Sequence, residues 1–129
     1  MNVFRGSAHL RAAPPCALTI GNFDGVHRGH HALLEALTAG ARTRDLASCV
    51  MTFEPHPKEF FTPAEAPPRI LNLRDKLTAF ADIGIDRVVI ERFNAAYAKL
   101  TPEQFVAEIL LRRLNTKWIL IGDDFCYGA

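Results

Sequence analysis

The sequence predicts an α/β fold in which helices cover both faces of a parallel sheet. Short, nearly continuous apolar runs, typical of buried strands, alternate with segments whose apolar residues recur at helical spacing. The order along the chain is strand, helix, strand, helix, strand, helix, strand. Strands joined through helices run parallel and are buried on both faces, so this alternation defines the fold class.

The first strand and helix flank a loop rich in glycine and histidine. Residues 16–23, CALTIGNF, form a short apolar run that predicts a buried strand. From Gly29 onward, apolar residues recur at helical spacing, and Gly40 is expected near the end of this helix. The second strand is predicted at 46–54. The segment 55–69 that follows has too many prolines for regular structure.

The second half of the chain repeats the alternation. A helix capped by Asn72 is expected to end at Gly84. Thr101, Pro102 and Gln104 have the residue types and spacing of a helix start with a capping box. The remaining predicted elements are a strand at 86–93, a helix at 101–114, and a strand at 116–122 that leads into 123–129.

Three loops leave the carboxyl ends of predicted strands, at residues 21–30, 54–69 and 122–128. In a parallel sheet these ends share one edge, and ligands bind in the crevice outside it. We therefore expect the three loops to converge on one site. The chain stops soon after the fourth predicted strand, where another helix would normally follow. It is accordingly interpreted as the front part of a longer polypeptide, truncated at the C-terminus.

Composition narrows the class of protein. The chain has 129 residues, 49% hydrophobic and 22% charged, with a net charge of +1. Such a balance argues against a nucleic-acid partner or a membrane-surface partner, which would require a basic surplus. Cys16, Cys49 and Cys126 form no CxxC pair, which favours reduced thiols. With neither a membrane span nor a signal peptide in the sequence, a cytoplasmic location is expected.

The loop at 21–30 has the chemistry of an anion site. Its glycines let backbone approach a ligand, and a helix beginning near Gly29 presents free N–H groups and its positive end. His27 and His30 would flank that end and donate hydrogen bonds to phosphoryl oxygens. The sequence contains no GxxxxGK[ST] motif. A metal site that includes His31 is an alternative, although no acidic or cysteine ligand stands at helical spacing beside these histidines.

Three motifs resemble one enzyme family. GNFDGVHRGHHALL, at 21–34, is similar to the GxFDGxHxGH signature of the HxGH nucleotidyltransferase superfamily, and especially of the FMN adenylyltransferase domain of prokaryotic FAD synthetases. Residues 52–61 resemble that family's F(D/E)PHP loop, and residues 122–128 its G-x-(D/N)-F-x-(F/Y)-G loop. The resemblance implies a Rossmann-like fold over residues 1–129. It also implies a C-terminal riboflavin kinase domain, and an arginine-bearing nucleotide motif, beyond residue 129.

The resemblance implies transfer of AMP from ATP to FMN, giving FAD and pyrophosphate by direct in-line attack at the α-phosphate. Mg²⁺ would accompany ATP, with protein ligands that the sequence does not identify. The implied catalytic residues are His27 and His30. The implied ATP-binding residues are Gly21, Asn22, Phe23, Asp24, His27, His30, Gly122, Asp124 and Phe125. The implied flavin-binding residues are Pro55, His56, Phe61 and Tyr127. The family often has arginine or threonine at the position of Cys126, and phenylalanine at that of Tyr127.

Two other functions stay open from the sequence. One is a different HxGH adenylyl- or cytidylyltransferase, acting on pantetheine phosphate, nicotinate ribotide or glycerol phosphate. The other is a nucleotide-binding fragment that is inactive because its C-terminal part is missing. Individual residues also have simpler interpretations: Asp24 could cap the turn, His31 could be merely solvated, and Phe61 could pack under its own helix.

Overall fold

The computed structural model describes residues 1–8, 10, 13–21, 23, 28–54, 73–92 and 94–122. These residues form one five-stranded sheet with spatial order β1-β4-β3-β2-β5. The strands are β1 Asn2–Arg5, β2 Cys16–Ile20, β3 Ala47–Phe53, β4 Arg87–Glu91 and β5 Thr116–Ile119. The helices are α1 Arg28–Thr43, α2 Leu73–Ile83, α3 Ala95–Ala98 and α4 Pro102–Gln104, which continues as a π-helix over Phe105–Arg113.

Every pairing between neighbouring strands is parallel, as predicted. The predicted number of strands was wrong, because β1 adds a fifth at the edge beside β4. It has only four residues, and as an edge strand it leaves Val3 exposed while Phe4 packs toward the core. Such a short run with one half-buried side chain gives little hydrophobic periodicity, which is why the sequence did not reveal it.

Helices cover both faces of the sheet, which confirms the predicted architecture. Alternate residues along each strand point to opposite faces and form two apolar clusters. One cluster joins α1 and α2 to the sheet through Ala17, Phe23, Leu34, Leu37, Ala41, Val50, Phe80, Ile85, Val88 and Ile90. The other joins α3 and the π-helix to it through Cys16, Leu18, Ile20, Cys49, Met51, Phe53, Val89, Tyr97, Phe105, Ile109, Leu110 and Leu114.

The helix α1 runs to Thr43, so Gly40 lies in its last turn, near the end of the helix as predicted. The reason for glycine there is a neighbour on β5: a Cβ at position 40 would overlap the Trp118 ring. The helix α2 ends where predicted, at Gly84. This glycine adopts a φ of +98°, and its amide donates a hydrogen bond to the Phe80 carbonyl at 3.2 Å.

The predicted start of the last helix is confirmed. Thr101 Oγ1 accepts from the Gln104 amide at 3.1 Å, and the Gln104 side chain accepts from the Thr101 amide at 2.9 Å. The predicted continuous helix at 101–114 instead becomes a π-helix after one turn. The short α3, capped by Asn94, was not predicted. The predicted loop at 55–69 and the segment 123–129 lie outside the described residues.

Candidate functional site

The order of the strands identifies a crevice for a ligand. From β2 the chain proceeds to β3 and then to β4 in one direction, whereas β5 lies on the opposite side of β2. Such a reversal opens a crevice at the carboxyl ends of the two strands that flank it, here β2 and β5. The Leu120 amide donates to the Leu18 carbonyl at 2.9 Å, which holds the end of β5 beside that of β2. Gly21 and Gly122, the residues where the two predicted nucleotide loops begin, therefore lie at the same edge.

Phe23 lies in this crevice region with an unusual backbone. Its φ of +53° falls in the left-handed region, which costs a residue with a side chain about 1–2 kcal/mol. Packing offsets that cost, because the ring is 3% exposed and meets His30 and Phe80 edge to face. The sequence placed Phe23 in the nucleotide turn. The structure directs its ring into the core.

Gly21 is required by the Phe23 ring. A Cβ at position 21 would lie 2.9 Å from Cε2 and 3.0 Å from Cζ of Phe23, closer than such atoms pack. The Gly21 amide also donates to the Met51 carbonyl on β3 at 3.1 Å. The residue after β2 is thus fixed by β3 on one side and by an aromatic ring on the other.

His30 stands in the first turn of α1 and is half-buried. Backbone N–H groups and the positive end of the helix dipole meet at this turn, and it contains no acidic residue. The local electrostatics therefore favour an anion such as a phosphoryl group. His31 is on the exposed side of the same helix, with Nδ1 3.3 Å from Glu35 Oε1. This placement agrees with the solvated interpretation of His31.

A buried ion pair lies at the carboxyl end of β3, two strands from β5. Lys76, on α2, is fully buried, and its Nζ lies 3.5 Å from Oε2 of Glu54, the residue after β3. Neither residue is predicted to be functional from the sequence. A glutamate and a lysine this far apart in the chain show no pattern, and only the packing of α2 on the sheet brings them together.

A second cavity opens at the same edge, beyond the ends of β1 and β4. Its volume is about 360 Å³, and its apolar wall includes Tyr97, Leu100 and Ile109. The Tyr97 hydroxyl donates to the Glu91 carboxylate, and Arg113 Nη1 donates to Ser7 Oγ at 3.2 Å. Its lining comes from separate segments along the chain, so no local motif could have revealed this cavity.

Several predicted site residues lie outside the described part of the chain. They are Asn22, Asp24, His27, Pro55, His56, Phe61, Asp124, Phe125 and Tyr127. Of the predicted set, the structure brings Gly21, Phe23 and His30 together and places Gly122 at the same edge. Among the residues that it describes, no group of three or more histidine, cysteine, aspartate or glutamate side chains is arranged to hold a metal ion. Within that same part, no helix has both the length and the apolar character needed to cross a bilayer.

Comparison with known proteins identifies related sequences. The sequence model of a family described as FAD synthetase matches residues 10–129. The chain is 47% identical to the bifunctional riboflavin kinase/FMN adenylyltransferase of Escherichia coli strain K12. It is 44% identical to the protein of that name from Pseudomonas fluorescens, and 38% to that from Haemophilus influenzae. Each alignment covers 100% of this chain and 42% of the relative, so the chain spans less than half the length of these curated relatives.

A solved structure shares the fold. A crystal structure described as that of a macrolide-efflux protein from Streptococcus pneumoniae superposes with a TM-score of 0.80 and 26% sequence identity. The superposition covers 98% of this chain and 42% of that one. It supports the parallel α/β architecture, whereas the efflux activity in that description belongs to the other protein.

Proposed function

Because the chain belongs to the FAD synthetase family, we propose that it transfers AMP from ATP to FMN, giving FAD and pyrophosphate. The observation that carries this proposal is the crevice between β2 and β5, with His30 at the amino end of α1 beside it. A helix amino end with an imidazole, open to an edge where ligands bind, is suited to the phosphates of a nucleotide.

The proposed reaction requires little proton transfer. The phosphate of FMN has a second pKa near 6, so its attacking oxygen is already largely deprotonated at neutral pH. That oxygen forms a bond to the α-phosphorus of ATP, and the bond from this phosphorus to the bridging oxygen of pyrophosphate breaks. The enzyme then mainly has to align the two substrates and stabilise charge in the transition state.

His30 is proposed to stabilise the charge that develops on the α-phosphoryl oxygens, with His27 of the same motif in a matching role. The N–H groups and dipole of the first turn of α1 act in the same direction. Mg²⁺ bound to ATP would neutralise the pyrophosphate leaving group. Mg²⁺ commonly binds substrate phosphates and waters, with only one or two protein carboxylates.

The second cavity is proposed to take part of the acceptor. β4 is two strands from β2, and strands are about 4.8 Å apart, so the cavity lies roughly 10 Å from the β2 edge. Its apolar wall suits a ring system, and the predicted flavin residues Pro55 and His56 follow β3, which lies between the two places. FMN is proposed to extend along this edge, with its phosphate toward His30. A riboflavin kinase domain is proposed to accompany this chain in the full-length protein.

The first experiment measures FAD and pyrophosphate after incubation of the purified protein with ATP, Mg²⁺ and FMN. His30→Ala should lower kcat by about 10²–10³ while changing the KM for ATP less, since the histidine acts mainly on the transition state. His31→Ala is the matched control, because this neighbouring side chain is exposed and paired with Glu35.

Two results would contradict the proposal. One is the absence of FAD alongside efficient nucleotidyl transfer to pantetheine phosphate, nicotinate ribotide or glycerol phosphate. The other is an equal loss of rate in the His30 and His31 variants.

A further inference from the structure

We propose that Phe80, on α2, fixes the orientation of the His30 imidazole through the ring of Phe23. This inference deepens the proposed function and rests on it for its catalytic consequence. Phe80 is fully buried and cannot touch a substrate in the crevice. It would be a positioning residue that acts on the reaction only through His30.

The three rings form a continuous set of contacts. The centroids of Phe80 and Phe23 are 5.5 Å apart with an interplanar angle of 86°, and those of Phe23 and His30 are 5.2 Å apart at 72°. Both geometries are edge to face, the arrangement in which the positive edge of one ring meets the negative face of another. Each contact therefore favours a particular ring orientation in addition to filling space.

Phe23 cannot easily absorb a change at either neighbour. Its backbone is held in the left-handed region, and the Gly21 backbone lies so close to its ring that even a Cβ would overlap it. A ring confined in this way transmits a displacement to the next side chain, since close-packed interiors leave no free volume. His30, in the first turn of α1, is in ring contact with Phe23.

The helix that carries Phe80 is itself anchored at this edge of the sheet. Lys76, one turn before Phe80 on α2, is fully buried and paired at 3.5 Å with Glu54 at the end of β3. The ion pair sets the position of α2 against the sheet, and Phe80 extends that position toward Phe23 and His30. In this way α2 would determine the orientation of the His30 imidazole, although it contributes no residue to the predicted nucleotide turns.

The expected effect is on rate rather than on binding. Phe80→Leu keeps an apolar side chain but removes the edge-to-face contact, so the Phe23 ring and then His30 can reorient. We expect kcat to fall about ten-fold, because small misplacements of catalytic groups are costly, with the KM for ATP within about two-fold of its original value. The matched control is Phe105→Leu, since Phe105 is equally buried but packs on the opposite face of the sheet.

The test combines kinetics with NMR of the His30 ring, whose signals are assigned by their loss in His30→Ala. Phe80→Leu should move these signals and lower kcat in otherwise active protein, and should cause no further loss of rate in the His30→Ala background. Phe105→Leu should leave the His30 signals in place.

Unchanged His30 signals in folded Phe80→Leu, or an equal loss of rate with and without His30, would overturn the inference. Absence of FAD formation by the unsubstituted full-length protein would instead refute the proposed function. The NMR comparison would still decide whether Phe80 orients the imidazole.

Discussion

Replacing Gly40 by alanine brings two opposing effects into direct competition. In the interior of a helix, alanine is more favourable than glycine by about 1 kcal/mol. The new Cβ, however, would lie 2.5 Å from Cζ3 of Trp118 and closer still to Cη2. Relieving that overlap requires the indole to move away from α1, and overpacking of this kind typically costs about 1–3 kcal/mol.

The surroundings of Trp118 decide how large the cost is. The ring is only half-buried, which gives it some room to move, but the guanidinium of Arg44 lies 4.1 Å from its centre. Arg44 is in turn held by a 3.1 Å hydrogen bond to the Gly40 carbonyl. Moving the indole would weaken a cation–π contact worth about 0.5–1 kcal/mol. We therefore expect Gly40→Ala to lower the free energy of unfolding by about 1–2 kcal/mol.

The decisive comparison repeats the substitution in a Trp118→Ala background. Without the indole, only the helix preference remains, so Gly40→Ala should raise the free energy of unfolding by about 1 kcal/mol. Urea titrations followed by circular dichroism measure both differences, with equal m-values as a check. If Gly40→Ala has the same sign in both backgrounds, the indole is not the reason for glycine at this position.

Two further predictions concern buried charge. Glu54→Gln should destabilise the protein by about 3 kcal/mol, because it leaves the fully buried ammonium of Lys76 without the Glu54 charge. The loss should exceed that of Lys76→Met, and urea unfolding that ranks the two variants the other way would contradict this reasoning. The pKa of Cys16 is lowered from 9.0 to about 7. The largest cause is a hydrogen bond with the Cys49 thiol, the positive charge of Arg87 adds to it, and burial opposes both. Because the folded protein favours the Cys16 thiolate, ionisation of this thiol stabilises the fold above pH 7, and the stabilisation is lost as the pH falls through 7. The free energy of unfolding should therefore rise by up to about 2 kcal/mol between pH 7 and 8.5. Cys16→Ser should remove the rise, and a variant that keeps it would show another group to be responsible.

The sequence predicted the parts of the fold that depend on local pattern. Four strands, the cap at Thr101 and the end of α2 at Gly84 are all confirmed, because burial and turn chemistry there depend on neighbouring residues. β1 escaped prediction, since four residues at an edge need the β4 backbone before they become a strand. The sequence did not reveal why glycine stands at position 40, because the Trp118 ring that a Cβ there would overlap lies far along the chain.

The candidate site likewise combines features that depend on neighbouring residues with features that depend on residues distant in the chain. The sequence predicts an anion-binding turn from GNFDGVHRGH, whose glycines and histidines are close in sequence, and that turn stays a prediction. The rings that support His30 were not predictable, because Phe80 meets Phe23 only once α2 has packed on the sheet. The left-handed backbone of Phe23 was equally hidden, since a bulky side chain gives no local signal for that conformation.

The pairing of β2 with β5 also sets the time at which the protein acquires the crevice between these two strands. Cys16 and Thr116, neighbours across that pairing, are 100 residues apart in the chain. At synthesis rates of about 5–20 residues per second, β5 emerges roughly 5–20 s after β2. During that interval α1 and its histidines exist without the opposite wall of the crevice. A nucleotide that needs both walls would bind, and so stabilise, only chains that have completed this last pairing.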